Sequence, residues 1–146
     1  MKTISFCVEM GVNPRFGKNN SKQSVNIEEL GAFLQETELI VEEETGIPIT
    51  TVVYGPNRSC YKTQWDAPKG GELTYTIRGN SDPRIQLRKE PFPESDWKRA
   101  VLLLVHMVMI HYEQEYALIE FTDDSGVDSY VLSPEYGLEQ AYREIP

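Results

Sequence analysis

The sequence predicts an α+β protein in which a largely antiparallel sheet packs around a central apolar helix at about residues 95–112. Three observations lead to this prediction. The chain has one long apolar run, several short runs of alternating polarity joined by turn-forming residues, and one acidic amphipathic segment. Together they give the element order β-α-β-β-β-β-α-β-β-α.

The central helix is predicted from the run at 100–110, where every residue except His106 is apolar. A helix that is apolar on all sides belongs in the middle of a folded domain. Ser95 is the expected cap of its first turn, and Glu94 and Asp96 lie where the positive end of the helix dipole favours acids. A membrane span needs roughly 20 apolar residues. This run is too short for that, and no membrane association is predicted.

The other elements are predicted from alternation and from the turns between them. Residues 3–9 alternate apolar and polar side chains, as a strand with one buried face does. A long exposed loop is expected at about 11–25, because this stretch is rich in Gly, Asn, Ser and Lys. Asn26 is the expected cap of an amphipathic helix that ends at Gly46 and Pro48. Further strands are predicted at 49–54, 59–65, 72–78, 84–89, 116–122 and 127–133, followed by a last helix capped by Ser133.

The length of 146 residues corresponds to one ordinary globular domain, so we predict a single domain over 1–146. The N-terminal residues alternate in polarity instead of forming a long apolar segment, and no export signal is expected. Cys7 and Cys60 form no C-x-x-C pair and lie in strand-like segments, which favours reduced thiols. These features predict a cytoplasmic protein.

None of the common catalytic or metal-binding motifs fits the sequence. Five residues separate Gly11 from Gly17-Lys18, whereas a phosphate-binding P-loop has four residues between its glycines. His106 and His111 are five positions apart, about 140° around a helix, so they do not share one face for a metal ion. We therefore predict no catalytic residues, no metal and no cofactor, and the sequence favours a non-enzymatic protein.

Charge is unevenly distributed along the chain. The net charge is −9, and residues 25–56 carry seven acidic side chains and no basic ones. Such a surface attracts cationic partners and repels nucleic acid and anionic membranes. Our main hypothesis is therefore a small acidic binding or inhibitor-type protein that docks a basic protein partner. Its partner-binding residues would be Glu36, Glu38, Glu42, Glu43 and Glu44 in a first acidic patch, and Asp123, Asp124 and Asp128 in a second.

Two alternative functions stay open at this point. The first is an enzyme or small-ligand-binding domain with a pocket between the sheet and the central helix, where His106 or His111 would be the working base. The second is an anionic ligand or nucleic acid on a basic sheet face formed by Lys62, Arg78, Arg84 and Arg88. Single-stranded nucleic acid needs exposed rings on which bases can stack. The parity of Tyr75 predicts a buried ring, which argues against nucleic acid.

Overall fold

The computed structural model describes residues 3–12, 24–54, 64–66, 73–81, 92–112, 114, 116–133 and 137–146. Within these ranges the elements are β1 (Ser5–Val12), β2 (Ser24–Asn26), α1 (Ile27–Thr45), β3 (Thr50–Tyr54), β4 (Gln64–Asp66), β5 (Leu73–Asn80), α2 (Glu94–His111), β6 (Tyr116–Asp123), β7 (Gly126–Leu132) and α3 (Leu138–Glu144). The helices and the antiparallel sheet confirm the predicted α+β class.

The main sheet contains five antiparallel strands in the order β3-β5-β1-β6-β7. Its central strand, β1, places Val8 opposite Ile77 of β5 and Ile119 of β6, and all three side chains are fully buried. Successive side chains of a strand point to opposite faces. The alternation at 3–9 thus correctly predicts a strand with one buried face. The short strands β2 and β4 pair separately, as a two-stranded sheet.

Helix α2 packs on the buried face of the sheet, with contacts to α1, α3 and β6. Its Trp97 ring is fully buried and meets the rings of Phe6 and Phe121 edge-on, at centroid distances of 5.7 and 5.6 Å. Edge-to-face contacts of this kind stabilise aromatic clusters beyond the area they bury. The predicted central helix is thereby confirmed. Neither α2 nor any other described helix is long and apolar enough to cross a bilayer.

A glycine in β5 makes room for this aromatic cluster. Gly79 lies opposite Phe6 in the β1–β5 pair and opposite Thr51 in the β3–β5 pair. A Cβ at Gly79 would overlap both the Phe6 ring and the carbonyl oxygen of Thr50. The close approach of the Phe6 ring to the sheet therefore requires a residue without a side chain at position 79.

Two helix starts differ from the prediction. The N-cap of α2 is Pro93, whose extended backbone (φ −61°, ψ 143°) precedes the first turn and whose carbonyl accepts the N–H groups of Asp96 and Trp97 at 3.1 Å. Proline fixes φ at a value suited to entering a helix. Ser95 therefore lies inside the first turn and does not cap it. The N-cap of α3 is Gly137, so Ser133 does not cap that helix either.

The loop predicted at 11–25 is shorter than expected at both ends. Gly11 and Val12 continue β1 by pairing with β5, and Ser24 and Val25 belong to β2 by pairing with β4. Such pairing depends on partners distant in sequence, which local composition does not reveal. The rest of the predicted loop, at 13–23, and the predicted strand at 84–89 lie outside the described residues.

Candidate functional site

A concave pocket lies at the first turn of α2, where the helix faces β7 and the residues that follow α3. Its volume is about 370 Å³. The carboxylates of Glu94 and Asp128, the ammonium of Lys98 and the hydroxyl of Ser95 form its polar lining. Ile145 and Pro146 form an apolar wall. Small-molecule sites typically have volumes of about 300 to 1,000 Å³ and mix apolar walls with a few polar groups. This pocket falls in that range.

Lys98 organises the polar side of the pocket. Its side chain is only 6% exposed, and its Nζ lies 3.0 Å from Oδ2 of Asp128 and 3.2 Å from Oε1 of Glu94. The same Nζ lies 5.5 Å from the centroid of the Phe121 ring, within the range of a cation–π contact. Burial alone would lower the pKa of the Lys98 ammonium, but the hydrogen bonds to Asp128 and Glu94 outweigh it and the pKa is raised. Lys98 is therefore a charged group held in a fixed position.

The two carboxylates differ from Lys98 because they reach solvent. The side chain of Glu94 is 41% exposed and that of Asp128 is 65% exposed. Lys98 engages Oδ2 of Asp128, whose largely exposed side chain also lines the pocket. The formal charges of Lys98 (+1), Glu94 (−1) and Asp128 (−1) sum to −1. The pocket is thus suited electrostatically to a ligand that carries one positive charge.

The first predicted acidic patch lies on α1, which packs against β3 and the central helix. Glu36, Glu43 and Glu44 are exposed, whereas Glu38 accepts a hydrogen bond of 2.6 Å from the hydroxyl of Thr51 on β3. Burial raises the pKa of the Glu38 carboxyl, and its hydrogen bonds to Thr51 oppose this shift. Glu38 therefore ties α1 to the β3 edge of the sheet. Glu42 is half-buried.

The second predicted acidic patch lies at the opposite edge of the sheet. Asp123 accepts hydrogen bonds from the backbone N–H and the hydroxyl of Ser125 at 2.7 and 2.6 Å, which stabilises the turn between β6 and β7. Asp124 is exposed, and Asp128 is bound to Lys98. Thr51, which binds Glu38 of the first patch, and Asp128 of the second lie on opposite edge strands of the sheet. Binding of a basic partner by these residues stays a prediction.

Only one residue of the predicted basic sheet face is described. Arg78 of β5 is half-buried and lies opposite Cys7 of β1 and Val52 of β3. Its neighbour Ile77 is fully buried, so Arg78 points to the other face of the sheet, as the alternation predicts. Lys62, Arg84 and Arg88 lie outside the described residues, and the role of this face stays a prediction.

The two histidines that were the candidate bases do not line the pocket. His106 is half-buried in α2, burial lowers the pKa of its imidazole, and its buried Nδ1 has no hydrogen-bond partner among the described residues. His111 is exposed at the other end of α2 and stacks on Phe33 with a centroid distance of 4.0 Å. In the part of the chain that the structure describes, no group of three or more His, Cys, Asp or Glu side chains could hold a metal ion.

Lys98 is the pocket residue that sequence reasoning missed. It continues the buried stripe formed by Leu102, Val105 and Met109, each three or four residues further along α2. A lysine in line with an apolar stripe, preceded four residues earlier by Glu94, is a detectable signal of a paired buried cation. Asp128 was predicted as a partner-binding residue and lines the pocket, but its contact with Lys98 on α2 could not be predicted without the fold.

The fold is similar to two solved structures of a phage SAM lyase. One, described as being in the apo state, matches with a TM-score of 0.54 and 18% sequence identity over 92% of this chain and 91% of the other. The second, in complex with S-methyl-5′-thioadenosine, matches with a TM-score of 0.53 and 17% identity over 92% of both chains. At this identity the similarity establishes the fold. No family model and no curated protein matches the sequence.

These neighbours contradict our main hypothesis of a non-enzymatic binding or inhibitor-type protein. Both are structures of an enzyme, and the match covers nearly the whole chain. The first alternative, an enzyme or small-ligand domain, fits the comparison better. The hypothesis was wrong because it inferred a protein partner from the net charge. Charge is a property of the surface and determines neither the fold nor the activity.

Proposed function

We propose that this chain is an enzyme or binding domain for a small nucleoside-sulfonium molecule, with S-adenosylmethionine as the first candidate ligand. The observation that carries the proposal is the fold shared with a phage SAM lyase over 92% of this chain. Fold similarity alone does not determine chemistry. The proposal therefore also depends on whether a described site suits a ligand of this class.

The pocket at the first turn of α2 supports the proposal through its size and its charge. A volume of about 370 Å³ can accommodate a molecule of nucleoside size. S-adenosylmethionine carries a sulfonium, an ammonium and a carboxylate, and its net charge of about +1 is complementary to the net charge of the pocket. Ile145 and Pro146 supply an apolar wall against which a flat ring could pack.

The chemistry that the pocket residues offer is electrostatic. In the proposed complex, Asp128 faces the positive group of the ligand with its carboxylate, while Lys98 holds that carboxylate in place. Interactions with preorganised charges cost no reorganisation when the ligand binds. The proposed reaction class is cleavage of the bond between the sulfonium sulfur and the γ-carbon of the amino-acid part. The electron pair of this bond leaves with the sulfur to give S-methyl-5′-thioadenosine, and the ligand's own carboxylate oxygen bonds to the γ-carbon to close a lactone.

A cytoplasmic location belongs to the same proposal. The chain has only two cysteines and no C-x-x-C pair, which is compatible with a reducing compartment.

The test is incubation of the purified protein with S-adenosylmethionine, with chromatographic measurement of its loss and of S-methyl-5′-thioadenosine formation. A sample without protein corrects for the slow spontaneous decay of the sulfonium, and isothermal titration calorimetry measures binding in parallel. We expect saturable binding, protein-dependent thioether formation, or both. The proposal fails if the protein neither binds S-adenosylmethionine at millimolar concentration nor accelerates its decay.

A further inference from the structure

The strand β7 has an unpaired edge in the described structure, where it pairs with β6 alone. The β6–β7 hairpin closes at the Asp123–Gly126 pair through a two-residue turn. That closing pair exchanges both of its backbone hydrogen bonds, and the pattern then alternates along an antiparallel ladder. The N–H and C=O groups of Val127, Ser129 and Val131 therefore point away from β6, toward the outer edge.

The side chains of this edge are unusually apolar. Val127 is 58% exposed and Val131 is 45% exposed, on the face opposite to the buried Tyr130 and Leu132. Exposed edge strands usually carry charges that prevent pairing with another chain. The only charged residue of β7 is Asp128, and its carboxylate is bound by Lys98 of α2, the helix that packs on the buried face of the sheet. The edge thus has both the hydrogen-bonding groups and the apolar side chains that strand pairing requires.

We propose that β7 pairs with β7 of a second copy of this chain, antiparallel and with a two-fold axis at Ser129. This arrangement is favoured because the two exposed valines lie two residues on either side of Ser129. The axis would place Val127 opposite Val131 of the partner subunit, and Val131 opposite Val127 of the partner subunit. The outward N–H and C=O groups of all three residues would then bond across the axis, as in a closed two-fold interface.

The proposed interface lies beside the candidate site, although the inference does not depend on the proposed function. Asp128, which lines the pocket, is the residue between Val127 and Ser129 on the pairing strand. Pairing would extend the sheet across the axis and place the partner strand next to the Asp128 side of the pocket. The positions of Asp128 and of the carboxylate oxygen that it presents would then be fixed by both subunits.

The first test is a cross-link across the axis. Opposed residues of a hydrogen-bonded pair have Cα atoms about 5.5 Å apart, a distance that a disulfide spans. We expect Ser129→Cys to form a covalent dimer under mild oxidation. Thr122→Cys is the matched control, because Thr122 is exposed on the same face but lies on β6, one strand further from the axis. Equal cross-linking of both variants, or of neither, would overturn the proposal.

The second test measures self-association without a covalent bond. Sedimentation velocity over a wide concentration range should show dimers of the unmodified protein. The double variant Val127→Gln, Val131→Gln should raise the dissociation constant by roughly tenfold or more, since both apolar pairs are lost. Val52→Gln, at the equally exposed valine of β3 on the other sheet edge, should leave it unchanged. A monomer at all concentrations, or dimers that respond only to Val52→Gln, contradicts the inference, and the latter would indicate an interface at β3.

Discussion

At the scale of single residues, Lys98 links the core of the protein to its candidate site. Replacing a buried ion pair by well-packed apolar residues is often neutral or stabilising, so stability alone does not call for a lysine on the buried stripe of α2. What the lysine adds is a positive charge that fixes two partly exposed carboxylates at the mouth of a pocket. Lys98 therefore acts by holding these two carboxylates in place, which supports the proposal that the pocket binds a cationic ligand.

His106 provides a prediction about pH. Burial lowers the pKa of its imidazole below the ordinary value of 6.5, and no described residue accepts a hydrogen bond from Nδ1 that would favour the protonated ring. Just below pH 6.5 the unfolded chain therefore binds more protons than the folded one, so the free energy of unfolding falls as the pH is lowered through this window. The slope cannot exceed about 1.4 kcal/mol per pH unit for one group.

Urea unfolding between about pH 5.5 and 7.5 measures this slope, and His106→Gln should reduce it. Glu38, whose raised pKa acts in the opposite direction because the folded state then binds the extra proton, is present in both proteins and cancels in the comparison. An identical slope in the parent and in His106→Gln would show that the half-buried imidazole is protonated as easily in the folded state as in the unfolded chain.

At the scale of elements, the sequence predicts most of the helices and strands that are determined by local periodicity and by turn residues. The alternation of β1 and the apolar run of α2 depend on local patterns, and both elements lie where those patterns place them. The cap at Ser95 was wrong because Pro93 supplies the non-helical residue before the first turn. The strand β2 and the partners of Asp128 and Lys98 were missed because pairing between distant segments leaves no local signal.

Two glycines in different elements give a matched pair of stability predictions. Gly79→Ala places a Cβ against the Thr50 carbonyl and the Phe6 ring, and the backbone of β3 cannot move away without breaking its pairing with β5. We expect a loss of about 2 to 4 kcal/mol in the free energy of unfolding. Gly31 lies in α1, and a methyl group at this position would meet open space, so Gly31→Ala should instead stabilise the protein by about 1 kcal/mol.

Chemical denaturation of the two variants measures both effects. Similar changes in the two proteins would contradict the packing described around β5, because of the two added methyl groups only the one at position 79 would overlap other atoms. A stable Gly79→Ala protein would specifically mean that the Phe6 ring does not lie over the glycine.

At the scale of the whole molecule, the net charge of −9 and the fold lead to different expectations. Charge alone favours a basic protein partner, whereas the fold is shared with an enzyme. The two are compatible if part of the acidic surface serves a small cationic ligand. The pocket at α2 and β7 is such a place, because the formal charges of its lining side chains sum to −1 even though Lys98 is one of them. The proposed two-fold contact at β7 would place this pocket beside a subunit interface.

The central claim is that a cationic nucleoside binds at the first turn of α2 with Asp128 facing its charge. Calorimetric titration of S-adenosylmethionine into Asp128→Asn and Asp124→Asn tests it most directly. The two aspartates lie on one hairpin, and Asp124 does not line the pocket. We predict that Asp128→Asn weakens binding by roughly tenfold, equivalent to about 1.4 kcal/mol, while Asp124→Asn leaves the affinity unchanged. Binding that is equally strong in both variants, or equally weakened, would contradict the claim.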